Sequence, residues 1–227
     1  TNRIEMNDVS KVAARTLIVT GANTGTKADA STNNDMFLRK LGTTDDLVVG
    51  RVAGVNTGNA SQTATGTGTT TLDNVYNANV LGLETTTANQ GLDGLSTTAN
   101  DGKITLTTAG GDLTVSEAIT ANGSGYIDIR TSNAGNGGDI VINNATNTAG
   151  TDRGILTSTS GTVQVIAGGS LSTTSANGFA TEINTSGDAI IEAGRYIGTD
   201  TNRIEMNDVS KVAARTLNVT GANTGTK

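Results

Sequence analysis

The chain has 227 residues, a net charge of −6, 2% aromatic residues, and no cysteine, histidine, proline or tryptophan. Those absences exclude disulfide frameworks, thiolate nucleophiles, cysteine or histidine metal centres and the usual imidazole general base. Mild acidity argues against nucleic acid and anionic membrane as partners, while a free backbone N–H at every position suits long hydrogen-bonded ladders.

The first element is a duplication. Residues 1–27, TNRIEMNDVSKVAARTLIVTGANTGTK, return as residues 201–227 with one change, Ile18 to Asn218. Fold constraints fix only the pattern of apolar and polar positions, so near-identity at a period of 200 residues implies a tandem repeat. Residues 1–200 read as one full repeat and 201–227 as the start of the next. The alternative is a self-contained subunit whose two ends mimic each other, one displaced by a neighbour on assembly. The tail carries four basic and two acidic residues, which leaves −8 on the 200-residue unit. No apolar leader stands at Thr1, so no secretory signal, transit peptide or membrane span is expected from this sequence.

Residues 28–71 are less regular and read as a loop or insertion. Asn33-Asn34-Asp35 before Met36-Phe37-Leu38-Arg39-Lys40-Leu41 suggests a capped helical turn, or an inserted loop leaning to the helical side. Leu47 to Val55 reads as a strand with a bend. Residues 59–71, rich in Thr, Gly and Ala, fit a loop or a Thr-faced rung, and residues 80–84 return to strand.

From residue 101 to 200 a cassette recurs, with a small turn residue and a polar residue before an apolar–polar–apolar triplet. It reads Gly102-Lys103-Ile104-Thr105-Leu106, Gly111-Asp112-Leu113-Thr114-Val115, Gly125-Tyr126-Ile127-Asp128-Ile129 and Gly138-Asp139-Ile140-Val141-Ile142. Gly161-Thr162-Val163-Gln164-Val165, Gly169-Ser170-Leu171 and Gly187-Asp188-Ala189-Ile190-Ile191 continue it. Period-two alternation makes these short strands with one buried face, entered through a glycine corner. Such strands are too short for an ordinary sandwich. Stacking them gives a parallel β-helix, with Ile104 over Ile127, Ile140 over Val163 and Val163 over Ile190 in coils of about 20 to 27 residues. One period should then advance roughly 35 to 48 Å along the axis. In the repeated segment Ile4, Met6, Leu17 and Val19, with their copies Ile204, Met206, Leu217 and Val219, should face inward. Position 18 or 218 should face out, where Ile and Asn can interchange.

Cassettes such as GGDLTVSEAITANGSGYIDIRTS (residues 110–132) and NGGDIVINNATN (residues 136–147) resemble the repeats of the filamentous haemagglutinin class of giant bacterial surface and secreted proteins. The resemblance covers residues 101–219 well and the first hundred poorly. It implies a right-handed parallel β-helix (solenoid), extracellular or cell-surface exposure, and a role in adhesion or fibre formation. No functional residue transfers with it.

Parallel β-helices also host polysaccharide-cleaving enzymes that use paired carboxylates. Asp45-Asp46, Asp112, Asp128 and Asp139 were the residues to weigh, but neighbouring strand residues point to opposite faces and no aromatic platform is present for a sugar. The expectation is no enzyme, no catalytic residue and no cofactor. Calcium is the one metal with candidates, Asp139 and Asp112, because residues 134–142 partly match the GGxGxDxUx calcium nonapeptide. Consecutive copies of that nonapeptide are missing, so an Asp corner is the preferred reading. The Asn-x-Ser/Thr triplets at Asn59, Asn122, Asn144, Asn184 and Asn218 are no more than this composition gives by chance, and Gly21 to Lys27 lacks the spacing of a phosphate loop. The expected function is structural: a repeat of an extracellular filament or surface fibre, its partners being neighbouring copies end to end. The alternative is the shaft of a bacterial adhesin that displays loops to a receptor or glycan.

Overall fold

An isolated apolar–polar–apolar strand buries two side chains at most, so it is stable only when stacked on others like it. In the computed structural model, which describes residues 4–15, 35–52, 92–97, 101–132, 137–144, 154–176 and 180–217, that stacking forms three parallel sheets wrapped around one core. The chain visits the sheets in rotation. The first coil is β1 (Ile4–Met6), β2 (Lys11–Val12) and β3 (Ala14–Arg15), one strand on each sheet. The second is β4 (Met36–Lys40), β5 (Leu47–Val49) and, after an excursion, β8 (Leu95–Ser96). Then come β9 (Ile104–Thr108), β10 (Leu113–Val115) and β11 (Ile119–Ala121), followed by β12 (Ile127–Arg130), β13 (Ile140–Ile142) and β14 (Leu156–Ser158). The fifth coil is β15 (Val163–Ala167), β16 (Leu171–Thr173) and β17 (Ile183–Asn184). The sixth holds β18 (Asp188–Ala193), a single bridge from Ile197 to Leu171, and β19 (Met206–Asn207); β20 (Lys211–Thr216) opens a seventh. The fold is an all-β parallel solenoid, with no helix among the described residues.

The core is a set of inward columns. On the first sheet Leu38, Leu106, Ile129, Val165 and Ile191 stack in register, and on the second Leu47, Leu113, Ile140 and Leu171 do the same. All are buried. Outward positions on the same strands carry mostly Thr, Ser, Gln and charged residues, with Phe37, Val48, Val141, Ile166 and Ile190 as apolar exceptions.

Several expectations change. The segment after Asp35 is a strand, not a helical turn: Met36, Leu38 and Lys40 point inward. The Asp35 carboxylate, read as a helix cap, accepts the N–H of Lys103 in the next coil at 2.9 Å. Lys40 disguised the pattern by putting a charge at an inward position. Ile104 does stack on Ile127, but Ile140 lies on the second sheet between Leu113 and Leu171, and Val163 stacks between Ile127 and Ala189. Ile190 points outward and is 38% exposed. Spacing misled because each coil carries one cassette per sheet and corner loops differ in length; Ile104 to Ile127 is 23 residues, Ile127 to Val163 is 36.

The bend expected after Leu47 is present, since β5 is followed by β6 (Arg51–Val52). That strand pairs antiparallel with β7 (Leu92–Asp93), Arg51 opposite Asp93 and Val52 opposite Leu92. This two-stranded stem lies between the second and third sheets, after the end of β5 and before the start of β8. The expectations for residues 17–27, 59–71, 80–84 and 218–219 lie outside the described residues.

Candidate functional site

The duplicated segments lie at opposite ends of the stack. β1 and β20 are the two edge strands of the seven-stranded sheet and do not pair with each other. Met6 sits on the first sheet in the first coil, whereas Met206 sits on the third sheet in the sixth. Val12 sits on the second sheet in the first coil and Val212 on the first sheet in the seventh. Both comparisons give the same step of five coils and two faces, an advance of about 27 Å at 4.8 Å per layer. This is shorter than the advance expected from 20- to 27-residue coils, because the 200-residue period spans fewer coils than that coil length gives.

Inward and outward positions are nonetheless the same in both copies. Met6, Val12 and Ala14 stand over inward Lys40, Val49 and Leu95; Met206, Val212 and Ala214 stand over inward Ile183, Ala189 and Ile191. Asp8 and Asp208 share one corner conformation, with φ of 55° and 59°. What differs is the path after Val12. Alongside β5 and β8 the segment turns between β2 and β3, while alongside the six-residue β18 the same Lys-Val-Ala-Ala-Arg run stays straight as β20. Both ends leave apolar side chains open: Ile4 is 65% exposed and Val212 50%.

Corners between coils are built from the residues once weighed for chemistry. Asp46 Oδ1 accepts the N–H of Asp112 at 2.9 Å, Asp112 Oδ1 accepts that of Asp139 at 2.8 Å, and Asp139 Oδ1 accepts that of Ser170 at 2.7 Å. The two calcium candidates are thus neighbours in one column, each occupied in satisfying a backbone donor of the next coil. Arg195 adds a cation 3.8 Å from Asp139 Oδ1. Among the described residues no group of three or more acidic side chains is arranged to hold a metal ion. Asp45, beside Asp46, is exposed, and Asp128 lies apart on the outer side of the first sheet. There it makes paired bonds of 2.7 and 2.9 Å to Arg130, which raise the arginine's pKa. Glycine is required at these corners for close approach: a Cβ on Gly161 would lie 2.2 Å from the carbonyl oxygen of Gly125, and one on Gly169 would lie 2.1 Å from Asp139 Oδ1.

Two buried charged residues escaped the sequence reading. Lys40 is fully buried, and its ammonium donates to the carbonyls of Gly42, at 3.0 Å, and Asp45, closing the corner from the first sheet to the second. Glu182 is also fully buried. Its Oε1 accepts from Thr173 Oγ1 at 2.8 Å and its Oε2 from the N–H of Glu205 at 2.7 Å. Burial pushes its carboxyl above the ordinary glutamate range, opposed by those bonds and by the side-chain amide of Asn144. Lys40 could have been found by extending the inward parity of Met36 and Leu38. Glu182 precedes inward Ile183 as Asp112 precedes Leu113, but nothing in the sequence says that its side chain turns inward. Asn144, one of the chance sequons, is itself buried.

No family model, curated protein or solved structure matches the chain.

Proposed function

We propose that the chain is a structural repeat of an extracellular filament or surface fibre, stacked end to end into a continuous β-helical rod. The observation that carries this reading is the seat of the second copy. Its Met206–Asn207 and Lys211–Thr216 strands extend the ladders laid down by residues 183–193 with the same inward residues as the first copy, so the start of one repeat is already shaped to continue the one before. Among the described residues each end of the stack offers an edge parallel strand and a cross-section of apolar columns, the surface on which a further coil gains hydrogen bonds and burial. The resemblance of the cassettes to filamentous haemagglutinin repeats supports the same location and role, with neighbouring copies as the partners. A second reading, an adhesin shaft that displays loops to a receptor or glycan, is favoured by the antiparallel β6–β7 stem, a departure from the three parallel sheets that a plain rod does not need.

The test is length dependence. In a continuous rod each added repeat adds an interface while the two ends stay constant, so the denaturant midpoint should rise from one to two to four repeats. Equal midpoints at all three lengths would mean independent beads and would overturn the proposal.

A further inference from the structure

We infer that a tandem array of this unit is out of phase with its own coils by one face, so that each unit is turned by a third of a revolution about the rod relative to the unit before. The inference rests on the reading of the chain as an array unit. Its basis is the placement of identical residues: Met6 and Met206, and Val12 and Val212, are each separated by five coils and two faces, and Ala14 and Ala214, past the bend that the first copy alone makes, by five coils and one face; none of the three pairs is separated by a whole number of coils.

A three-sided solenoid can absorb this slip. Short strands of one parity serve any of its three sheets, because each asks only for an apolar side chain at alternate positions. The same inward residues are used by both copies, so the core does not register the change of face. The outer surface does. Lys11 lies outward on the second sheet and Lys211 outward on the first. The original arrangement returns after three units and seventeen coils, roughly 80 Å at 4.8 Å per layer. A rigid partner lying along one face would meet the same side chains only at that interval. A partner that engages every unit must wind around the rod.

The test uses a chain of three consecutive 200-residue units closed by residues 1–27. The sequence has no cysteine, so Thr159→Cys in each unit, at an exposed corner between the third and first sheets, takes one maleimide gold label per unit for cryo-electron microscopy. The expected result is a continuous rod with three labels stepping by about 27 Å along the axis and by 120° around it. Labels in one straight line on a continuous rod would overturn the phase slip and leave the array reading standing. Separate globules in place of a rod would overturn the array reading, and the slip with it. Asp45→Cys, exposed at the corner between the first and second sheets, gives a second label whose steps must agree should Thr159→Cys disturb its coil.

Discussion

The Lys-Val-Ala-Ala-Arg run occurs twice, and the two occurrences take different shapes. At residues 11–15 it bends between two sheets; at residues 211–215 it lies straight within one. The sequence is identical, so the difference comes from the strand alongside. The neighbour of the first copy breaks after Val49 and resumes at Leu95, with Gly50 and Gly94 bonded to either side of the bend. The neighbour of the second copy runs unbroken from Asp188 to Ala193. Parity, which residue faces in and which out, is local and survives in both copies. The position of the corner is not local, since a parallel strand can hydrogen-bond only where its partner is extended. The environments also differ in charge. Met6 of the first copy stacks on buried Lys40, whereas the N–H of Glu205 in the second rests on buried Glu182.

The largest effect should separate the two valines. Val12 is 7% exposed and lies against buried Val49, while Val212 is half exposed at an open end. Val12→Asp should cost roughly 3 kcal/mol by leaving a carboxylate unpaired in the core, and Val212→Asp less than about 0.5 kcal/mol, read as shifts in denaturant midpoint. In a chain of two units the second site becomes interior and its cost should rise to match the first. Equal costs in the 227-residue chain would break the distinction between a covered and an open copy.

Next in size is the aspartate column that spaces the coils between the copies. Asp139→Ala removes the acceptor for Ser170 N–H and should cost about 1 to 3 kcal/mol. Asp139→Asn keeps a carbonyl acceptor there and should cost little. A chelator should leave thermal unfolding unchanged; a loss of stability restored by calcium would make Asp112 and Asp139 ligands instead of corner acceptors.

Smaller is a pH effect from Glu182, which lies in the coil beneath the second copy and accepts the N–H of Glu205. Its neutral form is favoured in the folded chain relative to the unfolded one, so its contribution is complete below the ordinary value of about 4.5 and is lost as pH rises through the raised value. The stability difference between the native chain and Glu182→Gln should therefore shift against the native chain as pH rises over that window. A difference that does not change with pH would show that the carboxyl is not perturbed.

The smallest effect is expected at Arg215, whose guanidinium meets Glu192 at 2.7 Å but is itself 69% exposed. Arg215→Ala should cost under about 1 kcal/mol and less in high salt.

Parity and short strands were legible in the sequence because alternation is a property of adjacent residues. All four cassettes at Ile104, Ile127, Val163 and Ala189 belong to the first sheet, and those at Leu113, Ile140 and Leu171 to the second. Their assignment to sheets was not legible, because the same triplet serves every sheet and the distance between stacked residues depends on corner loops as short as that after Thr108 or as long as that before Leu156. The corner role of Asp112 and Asp139 was readable from Gly-Asp before an apolar triplet. Buried Lys40 was legible only by carrying the parity of Met36 and Leu38 through a charged residue, and buried Glu182 was not, since its burial depends on donors supplied by a neighbouring coil.

The central claim is that the second copy continues the rod one face out of step with the first. Disulfide trapping in this cysteine-free chain tests it directly. Register neighbours in adjacent layers lie about 4.8 Å apart, within disulfide reach. Asp188→Cys with Lys211→Cys, adjacent on the first sheet, should therefore oxidise to an intramolecular bond identified by mass spectrometry. Ile197→Cys with Ser210→Cys, which would be adjacent only if the second copy occupied the same faces as the first, should stay reduced. The reverse pattern, with the second pair cross-linked and the first free, would contradict the account.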